Sequence, residues 1–230
     1  MKIALLGYGR MGKEIEKIAL ERGHEIVLKK TQESSFEGLE QADVAIDFSV
    51  PSAAVENITQ CIKLNVPVVS GTTGWLESYE EIINKVKTSN GAFIYASNFS
   101  IGVNIFFELN KSLISPHKQY QASIEEIHHT QKLDAPSGTA ITLAEDIISL
   151  SDYNNWSMTS QDESSLPIEA KRIPDVPGTH IIDYSSEIDT IEIKHTAHNR
   201  KGFALGAVLA SEWLQEKKGV FSMKDVLHLG

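Results

Sequence analysis

The start of the chain alternates between apolar runs and an amphipathic stretch. Lys2 to Leu6 forms a short apolar run, Lys13 to Arg22 carries apolar residues at helical spacing, and His24 to Lys30 is a second apolar run. Gly23 stands where the helix should stop. This pattern predicts a strand, a turn, a helix and a second strand, which together form one βαβ unit.

The same alternation continues to residue 96. The apolar runs predict further strands and the periodic stretches predict further helices: strands at Asp43 to Phe48, Val66 to Ser70 and Ala92 to Ala96, and helices at Ser52 to Leu64 and Glu77 to Thr88. Strands that alternate with helices pair in parallel, so we predict an α/β fold with a doubly wound parallel, Rossmann-like sheet.

The pattern changes after Asn98. Three helices and three strands are predicted beyond it: helices at Val103 to Leu113, Ala140 to Leu150 and Gly202 to Gln215, and strands at Gln121 to His128, His180 to Tyr184 and Thr190 to His195. Residues 151–167 are polar and lack periodicity, so we interpret them as a surface excursion. We therefore predict an inserted α+β domain over about residues 100–204, with residues 1–99 and about 205–230 forming the dinucleotide-binding domain.

Composition narrows the classes of protein that the chain can belong to. Its 230 residues are 41% apolar, and its formal net charge is −10. The negative charge argues against a nucleic-acid partner. The sequence shows no apolar run near the ~20 residues of a membrane span, and the strand at Lys2 leaves no room for a signal peptide. Cys61 stands alone, so we expect a cytoplasmic protein without disulfides, membrane or nucleic acid.

A glycine motif follows the first predicted strand. Gly7, Gly9 and Gly12 fit the spacing Gly-x-Gly-x-x-Gly, with Tyr8, Arg10 and Met11 between them. In dinucleotide-binding domains these glycines form a tight turn, admit a pyrophosphate and allow close helix packing. A tight turn without a ligand is the alternative interpretation, and the position after an N-terminal strand favours the dinucleotide.

Basic residues stand where the motif expects an acid. An acidic residue after the second strand binds the ribose hydroxyls in many such domains, whereas this chain has Lys29 and Lys30 there. This favours a 2′-phosphate or weak discrimination between the cofactors. Glu33 is the alternative ribose ligand, and a solvated loop is the alternative role for the lysines.

Three segments follow later strands of the predicted sheet, at the edge where ligands bind. We interpret Asp47-Phe48-Ser49 as a helix-capping segment, and Gly71-Thr72-Thr73-Gly74 as a loop pressed against a ligand. The third candidate is the stretch Ser97-Asn98-Phe99-Ser100.

The stretch from Glu125 to Thr139 concentrates groups that bind anions and move protons. It contains His128, His129 and Lys132, followed by a helix start at residues 137–139. Free amides at a helix start attract anions, and histidine titrates near neutral pH.

Each of these groups also has a structural interpretation. Adjacent strand residues alternate faces, which favours a structural role for His129; Lys132 fits a solvent-exposed lysine, and Ser137 an N-cap.

Four motifs occur in this chain in the order in which one known family carries them. They are the glycine motif at 7–12, Gly-Thr-Thr-Gly at 71–74, Asn-Phe-Ser-x-Gly-Val-Asn at 98–104, and Glu-x-His-His-x-x-Lys-x-Asp-Ala-Pro-Ser-Gly-Thr-Ala at 126–140. The chain in this respect resembles the dihydrodipicolinate reductase family. The resemblance implies NAD(P)H-dependent reduction of 4-hydroxy-tetrahydrodipicolinate to tetrahydrodipicolinate in lysine and diaminopimelate biosynthesis. It also implies a cytoplasmic homotetramer assembled through the second domain, which binds the dicarboxylate substrate.

Carried over by position, the resemblance assigns roles to individual residues. It implies His128 and Lys132 as the acid/base groups, and His129, Ser137, Gly138 and Thr139 as substrate contacts. It implies NADH or NADPH as cofactor and no metal, with the following cofactor residues: Gly7, Tyr8, Gly9, Arg10, Met11, Gly12, Lys30, Gly71, Thr72, Thr73, Ala96, Ser97, Asn98 and Phe99. Arg172, His180 and the His195 to Arg200 segment also resemble family positions and are expected to support the second domain's sheet.

The implied reaction requires a proton donor and positive charge, which histidine and lysine provide. Hydride addition to a carbon conjugated with an imine gives an enamine that must be protonated, and a cationic acid lowers that barrier. Two other functions compete with this reading. One is a different two-domain dehydrogenase acting on an amino or imino acid, and the other is a nucleotide-sensing protein without catalysis, which would not need His128 and Lys132.

Overall fold

A computed structural model describes residues 1–114, 120–159, 162–199 and 201–229. The chain divides into two compact units. The first comprises residues 1–101 and 200–230, and the second comprises residues 102–199.

The first unit is built on a parallel sheet. Its strands are β1 (Lys2–Leu6), β2 (Glu25–Lys30), β3 (Val44–Asp47), β4 (Val68–Ser70), β5 (Ala92–Tyr95) and β11 (Gly219–Phe221), and its helices are α1 (Arg10–Glu21), α2 (Pro51–Lys63), α3 (Tyr79–Thr88), α6 (Lys201–Leu214) and α7 (Met223–Leu227). The strand order is β11-β5-β4-β3-β1-β2, and all five pairs of neighbouring strands are parallel. This confirms the predicted doubly wound α/β fold.

Alternating strand residues fill the two faces of that sheet. Ile3 and Leu5 of β1 pack in a cluster with α1 and α6, whereas Ala4 and Leu6 pack in a second cluster with α2 and α3. Successive side chains of a strand point to opposite faces, so the sheet is buried on both sides. All carboxyl ends of the strands consequently meet at one edge, where ligands bind in this fold.

The second unit is a mixed sheet covered by helices. Its elements are α4 (Ile101–Ile114), β6 (Gln121–His128), α5 (Gly138–Leu150), β7 (Asn155–Ser157), β8 (Ser165–Arg172), β9 (Gly178–Ser185) and β10 (Thr190–Ala197). The strand order is β10-β9-β6-β8-β7. α4, α5 and the inner face of the sheet share one apolar cluster.

The predicted surface excursion at residues 151–167 is wrong in part. β7 and the start of β8 lie within it, with Ser165 and Leu166 buried. The strand pattern of β8 is weak in the sequence because Pro167 and charged residues interrupt its apolar positions. Residues 160 and 161 lie outside the described part of the chain. In the described residues, no helix combines the length and apolarity that crossing a membrane requires.

Candidate functional site

The glycine motif follows β1 and leads into α1. Gly7 has φ +100°, and a Cβ on it would lie 2.2 Å from the Phe48 carbonyl oxygen. A Cβ on Gly12 would lie 2.3 Å from the Gly7 carbonyl oxygen, whereas a Cβ on Gly9 would meet no atom of the described chain within 4 Å. Gly7 and Gly12 therefore permit close packing, and Gly9 leaves open space in front of the turn.

An open cavity of about 490 Å³ lies at this turn. Gly9 is the N-cap of α1, so the first-turn amides of residues 10–12 lack carbonyl partners within the helix and attract anions. Four predicted cofactor residues line the cavity: Gly7, Tyr8, Gly9 and Lys30. The turn has the shape and the donors that a pyrophosphate requires.

Lys29 is engaged by a neighbouring acid. Its Nζ lies 2.5 Å from Oε1 of Glu16 and 5.1 Å from the ring centroid of Tyr8. The Tyr8 hydroxyl donates a hydrogen bond to the same carboxylate. The hydrogen bond with Glu16 raises the pKa of Lys29 and keeps it charged but paired.

Lys30 lies beside the cavity. Its Nζ donates to the carbonyl oxygens of Thr31 and Ser34 at 3.2 and 3.1 Å. Thr31 and Gln32 also line the cavity, whereas Glu33 is exposed and is not among the lining residues. Lys30 is therefore the basic residue that the strand end offers to a ligand.

Asp47, at the end of β3, is fully buried and accepts four side-chain hydrogen bonds. Its donors and their distances are Ser49 Oγ (2.7 Å), Asn57 Nδ2 (2.9 Å), Ser70 Oγ (2.9 Å) and Thr72 Oγ1 (2.8 Å). Burial raises the pKa of the Asp47 carboxyl, and these donors oppose the shift. The capping interpretation of this segment is wrong, because Val50 is the N-cap of α2 and α2 has no side-chain cap among the described residues.

The segments after β4 and β5 pack on aromatic rings. A Cβ on Gly71 would lie 2.3 Å from the Phe48 ring, and the Phe48 and Phe99 ring centroids are 5.6 Å apart. A Cβ on Gly206 of α6 would lie 1.8 Å from the Phe99 carbonyl oxygen. Close packing thus fixes the backbone of both segments. Of the other predicted cofactor residues here, Thr72, Asn98 and Phe99 are buried, Ala96 is half-buried, and Thr73 and Ser97 are exposed.

In the second unit the strand register assembles a polar cluster. β6 is the central strand and ends at His128. β8 runs parallel to β6 and places Arg172 beside His128, while antiparallel β9 places His180 beside Glu126. The end of β8 and the start of β9 therefore meet the end of β6 at one edge.

Glu126 is the fully buried centre of this cluster. Its Oε2 accepts the Ser137 amide at 2.9 Å, and its Oε1 accepts Arg172 Nη2 at 3.1 Å. Oε2 also lies 3.6 Å from His128 Nδ1 and 3.8 Å from His180 Nε2. Burial alone would raise the pKa of the Glu126 carboxyl, but the bonds from Ser137, with His128 and Arg172, lower it, so this acid stays ionised.

Both histidines of the cluster are buried, and their ring centroids lie 5.1 Å apart. Burial lowers the pKa of His128, against the attraction of Glu126. Burial, with the neighbouring His128, lowers the pKa of His180 to about 3. Ligand atoms of the two histidines and Glu126 lie within 4.8 Å of one another, but both oxygens of Glu126 already accept hydrogen bonds.

A loop carries Lys132 past the end of β6. Lys132 Nζ lies 2.9 and 2.7 Å from the two carboxylate oxygens of Asp134. Arg172 donates from Nε to the Lys132 carbonyl at 3.3 Å and from Nη2 to the Asp134 carbonyl at 2.7 Å. Burial raises the pKa of Asp134, but Lys132 outweighs it and holds that pKa low.

Ser137 is the N-cap of α5, as the sequence predicts. Its Oγ accepts the Ala140 amide at 3.3 Å and lies 3.1 Å from His180 Nε2. A Cβ on Gly138 would meet no described atom within 4 Å, so the start of α5 is open on that side. Thr139 follows in the first turn, where amides attract anions.

The other residues of the second unit that the sequence singles out lie on or next to its strands. His129 follows the end of β6 and is half-buried. Arg172 and His180 are strand residues, as expected, and they also contact Glu126. His195 of β10 lies 6.1 Å from Phe106 between ring centroids, and Arg200 lies outside the described residues.

Comparison with known families covers nearly the whole chain. Residues 1–99 match the model described as "Dihydrodipicolinate reductase, N-terminus", and residues 102–227 match "Dihydrodipicolinate reductase, C-terminus".

Individual relatives agree with these matches. The chain is 56% identical to the 4-hydroxy-tetrahydrodipicolinate reductase of Christiangramia forsetii, over 99% of this chain and 98% of the relative. It is 36% identical to the enzyme of the same name from Methanocaldococcus jannaschii, over 98% and 81% of the two chains. The fold is similar to that of dipicolinate-bound dihydrodipicolinate reductase from Paenisporosarcina sp. TG-14, with a TM-score of 0.81, 24% identity, and 96% and 97% coverage.

Proposed function

The chain belongs to the dihydrodipicolinate reductase family, and from this premise we propose how its residues divide the reaction. It is an NAD(P)H-dependent oxidoreductase that reduces 4-hydroxy-tetrahydrodipicolinate in lysine and diaminopimelate biosynthesis. In the proposal the dinucleotide-binding domain, residues 1–99 with about 205–230, holds the cofactor. The substrate domain, about residues 100–204, holds the dicarboxylate.

The glycine turn fits a dinucleotide. The open space in front of Gly9 and the first-turn amides of α1 suit a pyrophosphate, and Lys30 lies beside the same cavity. When bound, the nicotinamide cofactor supplies the hydride. We propose that the following residues hold it: Gly7, Tyr8, Gly9, Arg10, Met11, Gly12, Lys30, Gly71, Thr72, Thr73, Ala96, Ser97, Asn98 and Phe99.

The start of α5 suits a carboxylate of the substrate. The amides of Gly138 and Thr139 lie in its first turn, and a helix N-terminus stabilises negative charge. Ser137 holds that turn through its own hydroxyl, and His129 and Lys132 add donors near the end of β6. The second unit thereby offers helix amides and the Lys132 ammonium to a dianion within an acidic chain.

His128 and Lys132 carry the proton-transfer part of the proposal. Loss of the hydroxyl group as water gives a conjugated imine, and hydride addition to that imine leaves an enamine whose carbon must take up a proton. His128 is a buried imidazole with a carboxylate 3.6 Å from Nδ1, which stabilises the ring when it is protonated. Lys132 supplies positive charge beside it. The observation that carries the proposal is this juxtaposition of His128 with an open helix start.

A coupled assay tests the proposal. Dihydrodipicolinate synthase and its substrates generate the unstable substrate in the cuvette, and oxidation of NADH or NADPH is followed by absorbance. We expect cofactor oxidation only when the complete synthase mixture is present. Cofactor oxidation that is independent of the synthase, or no oxidation at all, would contradict the proposal.

We also propose a cytoplasmic homotetramer that assembles through the second unit. β10 is an edge strand of its sheet, and exposed apolar side chains lie on it and before it: Ile191 is 36% exposed and Ile188 is 88% exposed. Exposed edges and apolar side chains of this kind favour association. Light scattering coupled to size-exclusion chromatography should give four times the 25.4 kDa chain mass, and a monomer would contradict this assembly.

A further inference from the structure

One buried carboxylate connects the separate parts of the second unit's site. Glu126 contacts the end of β6 through His128, the start of α5 through the Ser137 amide, and the end of β8 through Arg172. These segments are far apart in the sequence, from residue 126 to residue 172. The carboxylate is 0% exposed, so solvent does not compete for its oxygens.

Arg172 extends the reach of this carboxylate to the Lys132 loop. The same guanidinium that bonds Glu126 donates to the carbonyl oxygens of Lys132 and Asp134. A planar guanidinium with several fixed donors holds its partners in a defined geometry. The backbone that carries Lys132 is thus fixed to the strand that carries His128.

The geometry also distinguishes the two nitrogens of His128. Nδ1 faces Glu126 Oε2 at 3.6 Å, an electrostatic contact that is too long for a hydrogen bond. Nε2 lies against Gly178, where a Cβ would approach it to 3.2 Å, so any larger residue at 178 would crowd this nitrogen. A carboxylate beside Nδ1 favours the tautomer with its proton on Nδ1. In the neutral ring Nε2 is then the nitrogen that carries no proton.

We propose that Glu126 is a positioning residue for the reaction: it fixes the tautomer and orientation of His128 and, through Arg172, the backbone of the Lys132 loop. The inference rests on the proposed role of His128 in proton transfer. Glu126 itself remains ionised and transfers no proton. Its charge stabilises the imidazolium from which Nε2 delivers its proton to the substrate carbon.

The charges around His128 set the expected effect of removing Glu126. Charged or titratable groups face the ring from the same strand, from β8, from β9 and from the loop: Glu126, Arg172, His180, Lys132 and Asp134. Burial, Lys132 and Arg172 lower the pKa of His128, whereas Glu126 and, more weakly, Asp134 raise it. Without the negative charge of Glu126 the imidazolium should form only at lower pH.

The test compares Glu126→Gln and Glu126→Asp with Glu125→Gln in the full chain. Glu125 is the preceding residue on β6 and pairs with Lys171. This control therefore has the strand and the charge of Glu126 but different contacts. For Glu126→Gln we expect kcat to fall by about 10²-fold. The alkaline limb of the pH profile should move down by about one pH unit. Glu126→Asp should recover part of both effects.

Dipicolinate binding distinguishes a loss of His128 positioning from a general disruption of the substrate site. Calorimetric titration with dipicolinate should give an affinity for Glu126→Gln within threefold of the wild type, or tighter, since the variant removes a negative charge beside a dianion site. NADH binding, followed by fluorescence, should be unchanged. A kcat within threefold of Glu125→Gln would overturn the inference, as would a parallel loss of dipicolinate affinity and kcat with an unmoved pH profile.

A measurement on the wild-type protein covers the case in which the variant does not fold. In ¹⁵N spectra of histidine-labelled protein, the His128 signals are assigned by their loss in His128→Gln. Protonation at Nδ1 in the neutral ring supports the inference, and protonation at Nε2 overturns it. This readout does not depend on activity, so failure of the coupled assay in the wild type would count against the proposed function alone.

Discussion

Asp134 holds the ammonium of Lys132 in an ion pair, with Oδ2 2.7 Å from Nζ. The two residues also share a backbone partner, because Arg172 donates to both of their carbonyl oxygens. The loop is therefore fixed at its backbone, while the ammonium sits in an ion pair whose acid is 62% exposed. A pair with so exposed an acid contributes little stability, so the dicarboxylate of the proposed function can displace Asp134 from Lys132.

Replacing Lys132 by Ala should lower kcat/KM by about 10²-fold or more, because in the proposed mechanism Lys132 is the cation that supports proton transfer. The measurement is the coupled assay with NADH or NADPH. Lys85→Ala is a matched control, since Lys85 is also a half-exposed lysine paired with an acid, Glu81 at 2.6 Å. It should leave activity unchanged. A loss under threefold for Lys132→Ala would identify Lys132 as an ordinary surface lysine.

Replacing Asp134 by Asn should tighten dipicolinate binding by about threefold, in line with the small energy of an exposed ion pair. The variant frees the ammonium of Lys132 and removes one negative charge from beside a dianion. Calorimetric titration at low and high salt gives the affinity. Weaker binding to the variant would show that Asp134 orients Lys132 for the ligand rather than competing with it.

Residues whose role is local were predictable from the sequence. Gly7, Gly9 and Gly12 act within one turn, so their spacing sufficed to predict the fold of the first unit and its candidate cofactor turn. The N-cap role of Ser137 likewise depends only on the residues that follow it.

Residues whose role depends on strand register were missed. Glu126 becomes central because β8 and β9 flank β6 in the observed register, and no pattern within residues 121–128 specifies those neighbours. Asp47 was misassigned for the same reason, since two of its donors, Ser70 and Thr72, come from the next strand and its loop. The available signal for Asp47 was an acid at the end of an apolar strand, and for Glu126 it was an acid on the same face of an alternating strand as Ala122 and Ile124.

Replacing Asp47 by Asn should weaken NADH and NADPH binding by about tenfold and lower the free energy of unfolding by about 1–3 kcal/mol, because a buried acceptor is replaced by a donor that faces other donors. The loops after β3 and β4 would lose their shared partner. Fluorescence titration and urea unfolding measure the two effects. Asp43→Asn serves as control, since the Asp43 side chain is exposed and accepts a hydrogen bond from the Lys2 amide at 2.6 Å. Unchanged dipicolinate affinity would show that the effect is confined to cofactor binding, and unchanged cofactor affinity would contradict the prediction.

Acid should destabilise the protein through its buried histidines. The folded chain lowers the pKa of His128, and it lowers that of His180 to about 3, so the unfolded chain binds protons at higher pH than the folded chain does. Stability is therefore full above the ordinary histidine value of about 6.5 and falls as pH drops below it. Each extra proton bound by the unfolded chain costs about 1.4 kcal/mol per pH unit.

The lowered pKa of Glu126 acts in the same direction at lower pH, since its stabilisation is lost as pH falls below the ordinary carboxyl value. Urea midpoints between pH 7 and pH 4 measure the slope, and His180→Asn should flatten it. His228→Asn is the control, because His228 is exposed and has φ +53°, a conformation that asparagine tolerates. Equal slopes in the wild type and His180→Asn would contradict the assignment.

Cofactor preference should depend on Lys30 and not on Lys29. Lys30 lies beside the cavity at the end of β2, whereas the ammonium of Lys29 is paired with Glu16 at 2.5 Å. A charge-assisted contact with a 2′-phosphate is worth about 1.5–3 kcal/mol, so Lys30→Ala should weaken NADPH binding at least tenfold and leave NADH binding unchanged. Lys29→Ala, the neighbouring control, should change neither. Fluorescence titration with both cofactors decides the matter: equal losses for NADH and NADPH, or a wild-type preference for NADH, would show that Lys30 does not bind a 2′-phosphate.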